Sequence, residues 1–147
     1  MITENQSNRK LELFEILAAV EKAETTEDKI KILRNNRYAS LTDYLRCVFD
    51  ETIAFNLPEG KPPYTPNREE SYPSSWHKQN TKLQYLVKSK ASDQLIPLRR
   101  ETMFIGILEA VHPRDAEILI EMINKKSTTK GLTKKLVKEA FPNLIVK

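Results

Sequence analysis

Glycine is scarce in this chain, with three residues in 147, at positions 60, 106 and 131. A β-sandwich needs positive-φ residues at short intervals for its many tight turns, so this scarcity argues for helices. Cysteine is scarcer still. Cys47 stands alone, which excludes an internal disulfide and fits a reducing compartment. With it, His77 and His112 are the only soft metal ligands, and their spacing matches no structural zinc site. Long apolar runs are missing. The longest lies near Phe104–Leu108, far short of a membrane span, and the opening MITENQSNRK has no apolar signal core. The expectation is a protein without membrane contact that stays where it is made.

Charge of one sign is not in large excess either. The 24 basic and 20 acidic residues are mostly intermixed, and the net +4 permits nucleic-acid contact without demanding it. A hydrophobic content of 39% with 30% charged residues describes a soluble globular chain rather than a disordered one. At 147 residues, 1–147 reads as one domain that buries about two-thirds of its unfolded surface.

Proline is the residue that is concentrated. Five of the eight prolines (Pro58, Pro62, Pro63, Pro66 and Pro73) fall within LPEGKPPYTPNREESYPSSW, residues 57–76, beside Tyr64, Tyr72 and the only tryptophan, Trp76. Each fixes φ, lacks an N–H and pushes the preceding residue out of the helical region. The segment is therefore extended and divides two helical halves.

In the first half, residues 1–8 are polar and read as frayed. Leu13, Phe14, Ile16, Leu17 and Val20 recur at helical spacing and predict a helix over about residues 9–23. Thr25 with Asp28, and Ser40 with Asp43, read as capping boxes opening two more helices. The second of these carries the stripe Leu41, Tyr44, Leu45, Val48 and Phe49. Ile53, Phe55 and Leu57 alternate with polar or small residues, a short extended run into the prolines.

Beyond the prolines, Ser74 or Ser75 caps a helix bearing Trp76, Leu83, Leu86 and Val87, and residues 88–94 read as a polar connector. Pro97 and Pro113 suit the first position of two further helices, with Met103, Phe104, Ile107, Leu108 and Val111 on one and Ala116, Leu119, Ile120 and Ile123 on the other. Thr133 opens the last, with Leu132 and Val137 as a hydrophobic staple. The architecture predicted is all-α: six or seven short helices around one core.

The chain shows no catalytic constellation and implies no cofactor. Cys47 beside its stripe reads as a small packed residue, His112 as a partner for the last carbonyls of the preceding helix, and His77 as a solvent-facing residue at a helix start. Carboxylates read as caps and i,i+4 partners, with no pair on an apolar face that would raise a pKa. Glycines never cluster into a phosphate loop. The reading is non-enzymatic.

Two binding surfaces remain. Residues 124–138 hold Lys125, Lys126, Lys130, Lys134, Lys135 and Lys138 with no acid, a candidate phosphate contact or simply a solvated basic face. The proline segment offers Tyr64, Tyr72 and Trp76, residue types that dominate protein-binding hot spots. Equally, those aromatics suit an Ω-like loop packed on the body, whose pocket then becomes the binding site.

Four stretches together, LPEGKPPYTPN, RRETMFIGILEAVHP, AEILIEMINKK and KGLTKKLVKEAFPNLI, resemble small uncharacterised proteins encoded by large contractile-tailed bacteriophages of the T-even type. The resemblance covers mainly the second two-thirds of the chain. It implies expression in the cytoplasm of an infected bacterium and supplies no catalytic residue or cofactor. The resulting expectation is a protein that binds a host or phage protein during infection. The alternative is a nucleic-acid binder using the lysine cluster.

Overall fold

The computed structural model describes residues 10–147, so the fraying expected for residues 1–8 lies outside it. Among the described residues the chain is all-α, with no strand and two isolated β-bridges. The first three helices are α1 (Leu13–Lys22), α2 (Thr26–Asn35) and α3 (Ala39–Phe49). The proline segment leads to one turn of α4 (Trp76–Gln79), which tightens at once into a 3₁₀ helix over Asn80–Tyr85. Then come α5 (Lys90–Asp93), α6 (Pro97–Leu108), α7 (Pro113–Ile123) and α8 (Lys134–Ala140).

Helix α7 is the hub. It packs against α1, α3 and α6, while α2 bridges α1 to α8. Leu41, Tyr44, Leu45, Phe104, Ile107, Leu108, Val111 and Leu119 are at most 2% exposed and belong to one cluster. The stripes from both halves therefore share one core, as their periodicity predicts.

Several helix starts match expectation. Thr25 Oγ1 accepts from Asp28 N–H at 3.1 Å, and Thr133 Oγ1 from Leu136 N–H at 3.1 Å. Pro97 and Pro113 both occupy first-turn positions. The alternating run is extended as well. Asn56 N–H donates to Leu86 O and Lys88 N–H to Ala54 O, at 2.7 and 2.8 Å, around the bridge Phe55–Val87.

Four local readings are corrected. Helix α3 begins at Ala39, so Ser40 lies inside it and is buried rather than capping. Residues 88–94 are not a plain connector: Ser89 and Ser92 cap one another's backbone N–H at 3.2 Å and open α5. His112 acts forward instead of backward, its Nδ1 accepting from Arg114 N–H at 3.0 Å as the N-cap of α7. His77 is no solvent-facing residue, since both ring nitrogens are engaged.

Helix ends here are held by side chains reaching from elsewhere. Lys29 Nζ donates to Val20 O and Ala23 O, at 2.8 and 2.6 Å, closing the end of α1. Arg34 donates to Ala140 O and Glu139 O, at 3.0 and 3.1 Å, closing α8. Lys29 also explains Gly131. At φ +83° a Cβ there would sit 3.0 Å from the Lys29 side chain, which the two carbonyls hold in place.

Candidate functional site

The proline segment lies over the corner between α6 and α7, and backbone as well as side-chain bonds fasten it there. Thr65 N–H donates to Glu109 Oε2 at 2.8 Å, and Ser74 N–H donates to Ala110 O at 2.8 Å. Asn67 Nδ2 bridges Glu109 O and Val111 O, each at 2.9 Å. Asn124 exchanges bonds with Gly60, accepting its N–H at 2.8 Å and donating to its O at 3.2 Å. A stretch that cannot form a helix thus has its polar backbone satisfied by the ends of helices.

Its aromatics hold the segment down. Trp76 is 1% exposed and donates Nε1–H to Ser40 O at 2.8 Å. This corrects its assignment to a binding surface: the indole is a core residue tying the start of α4 to α3. Tyr72 is half-buried, edge-on to His112 at 5.2 Å, and burial with the neighbouring Glu12 carboxylate pushes its phenol up to about 12. Tyr64 is half-buried against the core, and burial, then Glu117, raises its pKa.

Two clefts flank the root of this segment. The first, of about 330 Å³, lies between Leu57, Pro62 and Pro63 on one side and Leu98, Thr102 and Ile105 of α6 on the other. The second, of about 730 Å³, adjoins it at Leu57–Glu59 and is walled by Arg100, Lys125, Glu51 and Glu101. The apolar cleft has the size of one or two side chains and is mostly hydrocarbon, the usual make-up of a recognition pocket. At its rim Leu98 is 69% exposed, and Ile96, one residue before α6, is 65% exposed. Large aliphatics this exposed, side by side across Pro97, mark a surface suited to contact.

The lysine cluster does not survive as six equivalent charges. Lys125 Nζ is turned inward onto Cys47 O, Asp50 O and Ile53 O, the last two at 2.9 and 2.8 Å, closing the end of α3. All three of its protons are thereby used, and burial lowers its pKa. Its backbone stands at φ +58° where α7 ends. Lys125 N–H bonds Met122 O and Lys126 N–H bonds Glu121 O, the Schellman pattern with lysine in glycine's place. Lys134 pairs with Glu51 at 2.9 Å. Lys125 is thus removed from any phosphate surface and Lys134 is partly neutralised, while Lys126, Lys130, Lys135 and Lys138 stay exposed.

Two arrangements were not legible beforehand. Ser40 Oγ and His77 Nδ1 are 2.5 Å apart, with His77 Nε2 on Leu11 O at 2.8 Å. A carbonyl only accepts, so Nε2 carries a proton, and in the neutral ring Nδ1 accepts from the Ser40 hydroxyl. This resembles a nucleophile with an oriented base. Yet Ser40 is 3% exposed and lines none of the clefts described here, so the pair serves as a clamp between α3, α4 and the approach to α1.

Asp115 is the other. It is fully buried, Oδ1 accepts Phe14 N–H at 2.8 Å at the start of α1, and Oδ2 has no hydrogen-bond partner among the described residues. Burial, with Glu12 and Glu15 nearby, pushes its carboxyl up to about 7, against the pull of the Phe14 and Leu13 N–H groups. The sequence pattern predicts no pair of carboxylates on one apolar face, whereas Asp115 is raised through a tertiary contact with the start of α1. Cys47 is 4% exposed and burial pushes its thiol up to about 12.

Among the described residues no helix is long and apolar enough to cross a membrane. A protein-family profile for a family of unknown function, DUF6433, matches residues 16–129. The chain belongs to the DUF6433 family. The matched stretch runs from within α1 through the proline segment, both clefts and α7, and stops before α8. Neither a curated protein nor a solved structure matches the chain.

Proposed function

We propose that this DUF6433 chain is a non-enzymatic bacteriophage protein that works in the cytoplasm of an infected bacterium by binding a host or phage protein. The observation that carries the binding reading is the apolar cleft between Pro62–Pro63 and Leu98–Ile105, with Ile96 and Leu98 exposed beside it. The phage setting rests on the four stretches that resemble T-even-type phage proteins. The binding surface moves from the buried Trp76 to the cleft that the proline segment builds. The fitting partner is a protein segment bearing one or two apolar side chains. The mixed charges of Glu59, Lys61 and Glu101 at the walls set its orientation.

The test is capture from infected-cell lysate on immobilised protein, comparing wild type with Pro63→Glu, which puts a charge at an exposed wall position. Circular dichroism establishes that the variant keeps its fold. A protein retained by wild type and lost by the variant supports the site. Equal retention overturns the cleft as the site, and no retained protein overturns the binding reading.

A further inference from the structure

Helix α6 turns one face to the core and leaves the opposite face to solvent. Arg100, Phe104, Ile107 and Leu108 point inward, whereas Arg99, Thr102, Gly106 and Glu109 are exposed. These four follow a 3–4–3 spacing, which sets them in one row along the outer face of the helix. Gly106 is the informative member. Its backbone is helical, and a Cβ built on it meets nothing within 4 Å, so no packing inside the chain calls for glycine. Glycine at an exposed mid-helix position weakens a helix relative to alanine. It does, however, let another helix approach closely.

The charges on this seam select an occupant. Arg99 lies in the first turn of α6 and Glu109 just past its end, and Arg99 has no ion-pair partner among the described residues. Two copies running parallel would set like charges against each other. Two copies related by a two-fold axis across the helix run antiparallel, and the seam then complements itself. Arg99 faces the other copy's Glu109, and Thr102 faces the other copy's Gly106. Met103 and Ile105, on the two flanks of the seam, approach their own counterparts near the axis. One Glu109 oxygen is occupied by Thr65 N–H, which leaves the other for the arginine.

We infer that the outer face of α6 is the interface of a homodimer, a second copy of this chain seated antiparallel on the first. The helix spans 12 residues, about 18 Å at 1.5 Å per residue. Even with the neighbouring Ile96 and Leu98, this is fewer than the roughly 20–30 residues per side of a standard interface, so the dimer is weak and concentration-dependent. The seam shares Leu98, Thr102 and Ile105 with the apolar cleft, so a second copy and a cleft partner compete for this face, while a monomer that captures a partner and a dimer that captures none remain separate outcomes.

Sedimentation equilibrium of the full chain from about 1 to 200 μM tests this, bracketing the affinity of a small interface. Wild type is expected to shift from monomer to dimer across that range. Gly106→Arg should weaken dimerisation by about tenfold or more, since it fills the seam. The same change should leave thermal unfolding of the dilute monomer equal or raised, because the position is open and arginine favours helix. Arg99→Glu should weaken the dimer as well, and more at low salt than at high. A chain that stays monomeric throughout, or a dimer that Gly106→Arg leaves intact, overturns the inference.

Discussion

Replacing Asp115 with asparagine should remove a stretch of pH dependence from folding. In the native chain its carboxyl is pushed up to about 7 from an ordinary 3.8, chiefly by burial. The groups around it are Glu12 and Glu15 at the start of α1, Tyr72 from the proline segment, and His112 and Arg114 beside it on α7. Between these two pKa values the folded state holds a proton that the unfolded state has released. Stability attributable to Asp115 is therefore greatest in acid and declines as pH rises through this window. The limiting slope is about 1.4 kcal/mol per pH unit, so on the order of 2 kcal/mol is lost from pH 5 to 7. That is a sizeable part of a typical domain stability of about 5–15 kcal/mol. Asparagine keeps an oxygen for Phe14 N–H and places an N–H₂ where Oδ2 stood, near the two glutamates. Urea denaturation at pH 5, 6, 7 and 8, followed by circular dichroism, gives the comparison. Taking wild type minus variant at each pH removes the contributions common to both chains. The difference should become more unfavourable to wild type as pH rises and flatten near pH 8. Parallel profiles would refute the assignment of a raised carboxyl to this position.

Asp50 should act in the opposite direction and in another window. Burial alone would raise it, but hydrogen bonds from Thr52 and from Val146 and Lys147 N–H outweigh that and bring it down to about 2, so its stabilisation is lost as pH falls from about 4 toward 2. Asp50→Asn should abolish this acid loss in urea titrations. Leu108→Ala should cost about 2–5 kcal/mol by cavity formation, and ellipticity and Trp76 fluorescence should report one shared transition, because both residues belong to one cluster. Lys125→Met strips an ammonium from three carbonyls and should cost about 1–3 kcal/mol in thermal unfolding, and Lys125→Gly should cost less because glycine relieves the positive φ. Cys47, with its thiol pushed up to about 12, holds about a thousandfold less thiolate at neutral pH than a free cysteine, so Ellman's reagent should label it only after denaturation.

What was legible in the sequence is what short-range physics decides. Proline at first-turn positions, threonine caps at 25 and 133, and the apolar stripes of α3, α6 and α7 depend on residues within a turn or two of each other. The proline segment was legible as extended, and its Ω-like packing followed from the need to bury Trp76 and half-bury two tyrosines. The candidate cleft was legible only as the pocket such a loop leaves, because its walls join Pro62 and Pro63 to Leu98 and Ile105 across more than thirty positions. Ser40 shows the limit of local pattern. Followed three residues later by a carboxylate, it reads as a cap, yet it sits second in α3, with its hydroxyl on His77 and its carbonyl on Trp76.

The scarcity of glycine accounts for much that was not legible. A helix that ends without glycine still leaves carbonyls that need donors. Here lysine and arginine from outside each helix supply them: Lys29 of the next helix for α1, and from far along the chain Lys125 for α3 and Arg34 for α8. Arg100 does the same after α5, donating to Ser92 O at 2.8 Å and to Leu95 O, and across to Asn56 O at 2.9 Å. A basic residue used this way looks in sequence like any surface cation, which is why Lys125 was grouped with its neighbours as a phosphate contact. Its place just beyond Ile123, the last apolar residue of the α7 stripe, where a helix end commonly has glycine, was the available signal. Lysine tolerates that backbone because its side chain closes another helix, and the same long-range bond that costs strain at α7 fixes α3 against it. The surplus of basic residues is then partly a structural requirement of a glycine-poor helical chain, and a net charge of +4 loses much of its force as evidence for a nucleic-acid partner.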